Sequence, residues 1–294
     1  MQRIVPNVWC QGNAVEVGEF YSAVLPQTSA TTTMTYPTEG LLDFQRDFAG
    51  QALVVDVSVS GYQIRLINAG NEFRPTPAIS FILTMDPLMF DGGEDEARSR
   101  TKSIWEAFVD GGQVRMELGE YPFSKLYGWV EDRFGVNWQL MLSDPAGERR
   151  PPVIPQFLFT GPTAQAQQAI DLYTGLLADS SIGMVMPHQD AAAGIMFAEF
   201  NLSGQWFSAM DGGTDHDFTF SPGLSLEVSC ADQEEIDRLW EVLSSVPEAE
   251  QCGWVEDRFG VSWQIVPENM GELMAHPGAF SRMLEMKKLI IAEL

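Results

Sequence analysis

The chain has 294 residues, 45% of them hydrophobic, enough to bury a large core, and its length points to two units of ordinary domain size. Seventeen basic against forty-one acidic residues give a formal charge of −24, which repels phosphate backbones and anionic lipid and so argues against nucleic acid or a membrane as partner. No apolar run approaches the roughly 18 residues that span a bilayer, no basic-then-apolar leader opens the chain, and Cys10, Cys230 and Cys252 lack metal-type spacing; the expectation is a cytoplasmic protein with reduced thiols.

Ile4 to Cys10 alternates in the manner of a strand and ends at Gly12-Asn13. Asn13, with Glu16 three residues on, has the form of a capping box, and Val17, Phe20, Tyr21 and Val24 make the apolar stripe of a helix that Pro26 stops. A short strand is expected around Thr31 to Tyr36, inside a loosely patterned, Thr-rich stretch. Ala52 to Ser60 and Tyr62 to Asn68 alternate around Gly61 as a hairpin, and Ile79 to Met85 is a further strand. A loop from Asp91 to Glu96 leads to a helix bearing Ile104, Trp105 and Phe108, closed by Gly111-Gly112. Gly128 to Gln139, GWVEDRFGVNWQ, then reads as strand, tight turn and strand, with Asp132 and Gly135 at the ends of the turn.

That stretch returns as GWVEDRFGVSWQ at Gly253 to Gln264, and only Asn137 against Ser262 differs. The rest of the order returns with it. Val153 to Phe159 matches the first strand, Gln165 to Leu177 the first helix, Phe200 to Met210 the hairpin and Leu224 to Cys230 the strand at Ile79. Asp232 and Glu235 form a capping box for a helix bearing Ile236, Leu239, Trp240 and Leu243. The first copy is longer by about ten residues on either side of Trp105, as loop or helix extensions. The expected organisation is a first module at 1–143, a linker at 144–152, a second module at 153–267 and a helical tail at 268–294 that packs on the barrel or on a second subunit.

The order of elements, GNAVEVGEFY after the first strand and CGWVEDRFGVSWQIVP in the last hairpin resemble the PhnB-like branch of the glyoxalase, bleomycin-resistance and dioxygenase superfamily, the vicinal oxygen chelate fold. The resemblance covers both halves and extends to the tail LEMKKLIIAEL. It implies an α+β fold in which two tandem βαβββ modules curl into a half-open β-barrel with helices outside and a pocket within, and it implies a homodimer. Pairing two modules covers an apolar sheet face that one alone would expose.

The superfamily's metal-ligand positions are filled here by other residues. The first-strand His position falls on Pro6 and Pro155, the next strand opens with Ile79 and Leu224, and the last strand offers Gln139 and Gln264 in place of Glu. Near the remaining position lie Arg65 and Ser208. Two neutral amides do not make a divalent site, so no metal and no cofactor is expected. Gln139 and Gln264 either orient a ligand or bond the neighbouring strand, and Pro6, Val8, Pro155, Phe157 and Phe159 are taken as the walls of a largely apolar pocket. Trp129, Trp138, Trp254 and Trp263 are read as core, and Asp132 and Arg133 as a turn cap with a rim ion pair. His188, His216 and His276 are read as surface histidines, Cys252 as a small core residue, and Asp211 with Asp215 and Asp217 as a solvated hairpin tip.

Three functions are compatible with this. The first is metal-independent binding of a small molecule, the second an isomerase- or lyase-type enzyme with unlocated catalytic groups, and the third methyl transfer. The third lacks the glycine-rich turn that would hold S-adenosylmethionine. Catalytic residues are not identifiable in the sequence.

Overall fold

The structure, a computed structural model, describes residues 2–147, 149–162 and 164–294. The first copy runs β1 (Ile4–Gln11), α1 (Ala14–Val24), β2 (Thr28–Thr35), β3 (Ala52–Val59), β4 (Tyr62–Ala69), β5 (Ile79–Met85), α2 (Gly93–Val109), β6 (Gln113–Tyr121), β7 (Ser124–Glu131) and β8 (Asn137–Leu142). The second runs β9 (Val153–Thr160), α3 (Ala166–Leu176), β10 (Ser181–Pro187), β11 (Ile195–Leu202), β12 (Gln205–Gly213), β13 (Leu224–Cys230), α4 (Gln233–Leu243), β14 (Trp254–Glu256) and β15 (Ser262–Pro267). Two short helices follow, α5 (Met270–Met274) and α6 (Ala279–Glu285). The tandem repeat stands, and each copy is itself built from two units in which a strand and a helix precede further strands.

Those units are exchanged between copies. One sheet has the order β14-β15-β13-β1-β4-β3-β2, the other β10-β11-β12-β9-β5-β8-β7-β6. The joints are antiparallel: β1 meets β13 from Ile4↔Val228 to Val8↔Leu224, and β5 meets β9 from Ile79↔Phe157 to Leu83↔Val153. Each sheet therefore takes one unit from either side of the linker. Neither sheet closes on itself, so each is a half-open barrel.

Alternation sorts the side chains. Val55, Val57, Val59, Ile64, Leu66, Leu224, Leu226 and Val228 join one large core cluster with Val17 and Tyr21 of α1. Their neighbours in sequence, among them Asp56, Arg65, Ser225 and Glu227, lie on the opposite, inner face. The helices pack on the outer faces and against one another, with the rings of Phe20 (α1) and Phe108 (α2) 6.0 Å apart.

Three local readings need correction. The Asn13 side chain makes no cap bond to α1; its Oδ1 accepts from Gln11 N, while Asn68 Oδ1 accepts from Ala14 N across 54 residues. Asp211 is likewise no solvated tip. It is buried and accepts from the backbone N–H groups of Gln165, Ala166 and Ile195, capping α3 from the end of β12. The extensions of the first copy are a longer helix, α2, and a full strand, β6, which the sequence reading missed along with β10.

The tail adopts two short helices rather than one long one, because Pro277-Gly278 interrupts it. It touches both outer strands of the first sheet. Phe280 lies edge-on to Tyr36 just past β2, at 6.4 Å, and the backbone N–H groups of Cys252 and Gly253, just before β14, donate to Met286 and Lys287. Val266, Leu273, Leu289 and Leu294 form a small core of their own beneath it.

Candidate ligand site on the inner sheet faces

The signature hairpin is a structural clamp. Asp132 is 2% exposed and accepts from Tyr21 Oη at 2.7 Å, Trp138 Nε1 at 3.2 Å, Phe134 N at 2.9 Å and Val136 N at 3.1 Å. Asp257 repeats the set with Tyr173 at 2.6 Å, Trp263 at 2.9 Å, Phe259 at 2.9 Å and Val261 at 3.1 Å. One carboxylate thus caps the turn and ties a helix of one sheet to a hairpin of the other. Burial pushes the Asp132 carboxyl up to about 6, against the four donors that pull it down, and moves Asp257 the same way. Arg133 pairs with Asp110 at 3.0 Å and lies over Phe20, the rim role expected of it.

Gln139 and Gln264 sit on the inner faces, opposite in direction to the core residues Trp138 and Trp263. Both bond the neighbouring strand: Gln139 Nε2 donates to Ser80 Oγ at 2.8 Å, and Gln264 Nε2 to Ser225 Oγ at 2.9 Å. Trp129 and Trp254 share the inner faces with the glutamines, half-buried rather than core.

The proposed apolar walls lie on the wrong side of the sheets. Val8, Phe157 and Phe159 belong to the helix-facing core, and Pro6 and Pro155 stand opposite the core residues Leu226 and Phe81. The first strand is buried on both faces, so hydrophobicity alone gave no direction; the residues that face inward are Val5, Asn7 and Trp9.

On the inner face of the first sheet lies a polar cluster, whereas Pro6, Pro155, Ile79 and Leu224, expected at metal-ligand positions, stand on the core side. Asn7 of β1 pairs in register with Ser225 of β13 and with Arg65 of β4, Arg65 with Asp56 of β3, and Glu227 of β13 with Gln264 of β15. Arg65 Nη1 donates to both oxygens of Glu227, at 2.6 and 2.7 Å, and its Nε donates to Asp56 at 2.8 Å. Burial raises the Glu227 carboxyl from its ordinary range, and the Arg65 charge opposes that rise. Asn7 is 1% exposed, its amide donates to Val5 O, and its Oδ1 has no partner among the described residues. Gln264 Oε1 likewise receives no hydrogen bond among the described residues. At one end Trp9 packs edge-on against Trp254 at 6.1 Å and Phe73 at 5.0 Å.

The second sheet has satisfied most of the same positions internally. Gln139 Oε1 accepts from Tyr127 Oη at 2.7 Å, a residue whose counterpart in the second copy is Cys252. Gln156 Nε2, matching Asn7, donates to Met210 Sδ. Glu199 is paired by Arg150, whose guanidinium lies over Trp206. The Ser208 hydroxyl, in the place of Arg65, is buried with no partner among the described residues. A separate cleft of about 420 Å³ runs between β1, α1 and the β7–β8 turn, lined by Asn13, Arg74, Glu131 and Arg133.

Cys252 is partly buried, with burial raising its thiol above the ordinary range. Among the described residues no three His, Cys, Asp or Glu side chains converge as metal ligands, and no helix is long and apolar enough to cross a membrane.

Residues 2–141 and 151–266 each match the family described as 3-demethylubiquinone-9 3-methyltransferase. Among solved structures, a PhnB protein from Bacillus cereus bearing the same methyltransferase description is 25% identical, with 48% of this chain and 100% of that one covered and a TM-score of 0.39. A protein from Pseudomonas aeruginosa is 20% identical over 49% of this chain and 98% of that one, with a TM-score of 0.38. Glyoxalase I from Zea mays is 10% identical and covers 97% of each chain with a TM-score of 0.50, a likeness of fold alone. No curated protein matches the chain.

Proposed function

The chain belongs to the PhnB-like family described as 3-demethylubiquinone-9 3-methyltransferase, and from that membership we propose that it binds a small molecule inside a half-barrel without help from a metal ion. The observation that carries this is Arg65. Its guanidinium lies between Glu227 and Asp56, the two carboxylates a divalent cation would need, and its hydrogen bonds occupy oxygens of both. The donor set therefore does not fit a metal, while the inner face still carries a buried Asn7 carbonyl with no partner among the described residues. Because the expected apolar walls belong to the core, polar groups carry recognition.

Metal analysis of the purified protein, together with native mass spectrometry for co-purifying small molecules, tests the reading. Sub-stoichiometric metal with a retained organic ligand is the expected result. A stoichiometric transition metal lost together with the ligand on chelation would overturn it.

A second reading, proton transfer of the isomerase or lyase type, is favoured by one group: Glu227, a buried carboxyl with a raised proton affinity on the inner face. Solvent-deuterium incorporation into the ligand, abolished in Glu227→Gln, is its test. Methyl transfer, the name attached to the family, lacks the glycine-rich turn for its donor. The homodimer expected from the resemblance is not needed to complete either barrel, since the β1–β13 and β5–β9 joints lie within one chain; sedimentation decides whether it forms.

A further inference from the structure

We propose that the first half-barrel, built from β14, β15, β13, β1, β4, β3 and β2, is the ligand site, and that its ligand is a small organic cation bearing an ammonium group, one per chain. The proposal rests on the ligand-binding reading above and adds to it the site and the chemical class.

The charge balance of the sheet points that way. Its seven strands contain three carboxylates, Asp56, Glu227 and Glu256, and a single cation, Arg65. After Arg65 has neutralised one carboxylate, a negative excess remains, in a protein whose net charge of −24 already draws cations toward its surface. An anionic ligand would have to displace Glu227 or Asp56 from a guanidinium that holds both.

The neutral groups agree with the charges. Asn7 Oδ1 and Gln264 Oε1 on this face are acceptors that receive no hydrogen bond among the described residues. Gln264 repeats Gln139 in sequence and in its bond to a serine, yet the carbonyl of Gln139 is taken by Tyr127 whereas that of Gln264 is open. Acceptors with no donor opposite them call for a ligand that donates. Trp9 and Trp254 share the inner face, and their rings attract a cation.

The tail is joined to the same barrel at both of its outer edges, through Phe280 on the side of β2 and Met286 and Lys287 on the side of β14.

Calorimetry with ethanolamine and with putrescine, each against the neutral molecule of the same shape, tests this. The neutral counterparts carry hydroxyls in place of the amines. The expected result is binding of at least one cation at one per chain, at least tenfold tighter than its neutral counterpart. Glu227→Gln and Gln264→Leu each weaken it tenfold or more while the urea midpoint shows the chain still folded, and Tyr127→Phe in the other barrel leaves it unchanged. Equal affinity for cation and neutral counterpart would overturn the cation assignment and leave ligand binding standing. Two sites per chain, or loss of binding in Tyr127→Phe, would overturn the choice of barrel. If neither cation binds, the cation assignment fails, and the broader reading is decided separately by the co-purification experiment.

Discussion

Replacing Tyr21 by Phe asks whether the signature hairpin is a clamp. The tyrosine is fully buried, and its hydroxyl is one of four donors to Asp132, itself 2% exposed. Above about pH 6 the carboxyl is ionised and the lost bond is a charge-assisted one, worth roughly 1.5–3 kcal/mol; with the carboxyl protonated it is an ordinary one, worth about 0.5–1.5 kcal/mol. The sign follows from linkage. Burial raises the folded pKa above the unfolded value, so this site's favourable contribution is complete below the unfolded pKa and is lost as pH rises through about 6. The tyrosine bond holds the folded pKa down and limits that loss, so removing it costs more at pH ~7.5 than at pH ~4.5. Urea unfolding at the two pH values measures this as a drop in midpoint with unchanged slope. Tyr173→Phe, facing Asp257 at 2.6 Å, should behave alike. A penalty under about 0.5 kcal/mol at the higher pH, or one that does not change with pH, would refute the clamp.

Arg65→Met leaves Glu227 and Asp56 without their common partner and should destabilise by up to roughly 3–5 kcal/mol at neutral pH, less in acid, where protonation removes the unpaired charges; thermal unfolding at two pH values reads the difference. Gly112→Ala would place a Cβ 2.2 Å from the Phe108 carbonyl oxygen and 2.4 Å from that of Glu131, both backbone atoms, so the turn into β6 must shift, at a cost of about 1–3 kcal/mol or more by the same unfolding assay. Removing residues 268–294 uncovers Val266 and leaves the Cys252 and Gly253 amides unpaired. Hydrogen exchange should then rise around β14 and stay unchanged in α3 and β12.

Much of the local structure was legible because it rests on short-range patterns. The alternation in Ala52–Val59 and Tyr62–Ala69, the stripe of Val17 and Tyr21, and the turn from Asp132 to Gly135 each carry their own signal. The caps of α1 and α3 did not, because the capping carboxamide and carboxylate come from the ends of β4 and β12, far along the chain. β10 is exposed along its whole length, so burial left no period in it, whereas Val114, Met116 and Leu118 of β6 do alternate and the signal was there to be read.

The site divides in the same way. Opposite faces for Trp138 and Gln139 follow from the two-residue period of a strand, and the sequence sufficed for that. Which face lies inward did not follow for Pro6, Val8 and Phe157, since β1 and β9 are buried on both sides. By itself the sequence determined the duplication and the superfamily fold. Only the tertiary structure decided that each barrel joins units from different copies, that Arg65 meets a glutamate 162 residues away, and that Gln264 keeps an open carbonyl where Gln139 does not. Periodicity and turns are written in neighbouring residues, whereas the pairing of strands brought together from opposite ends of the chain depends on how whole sheets share one core.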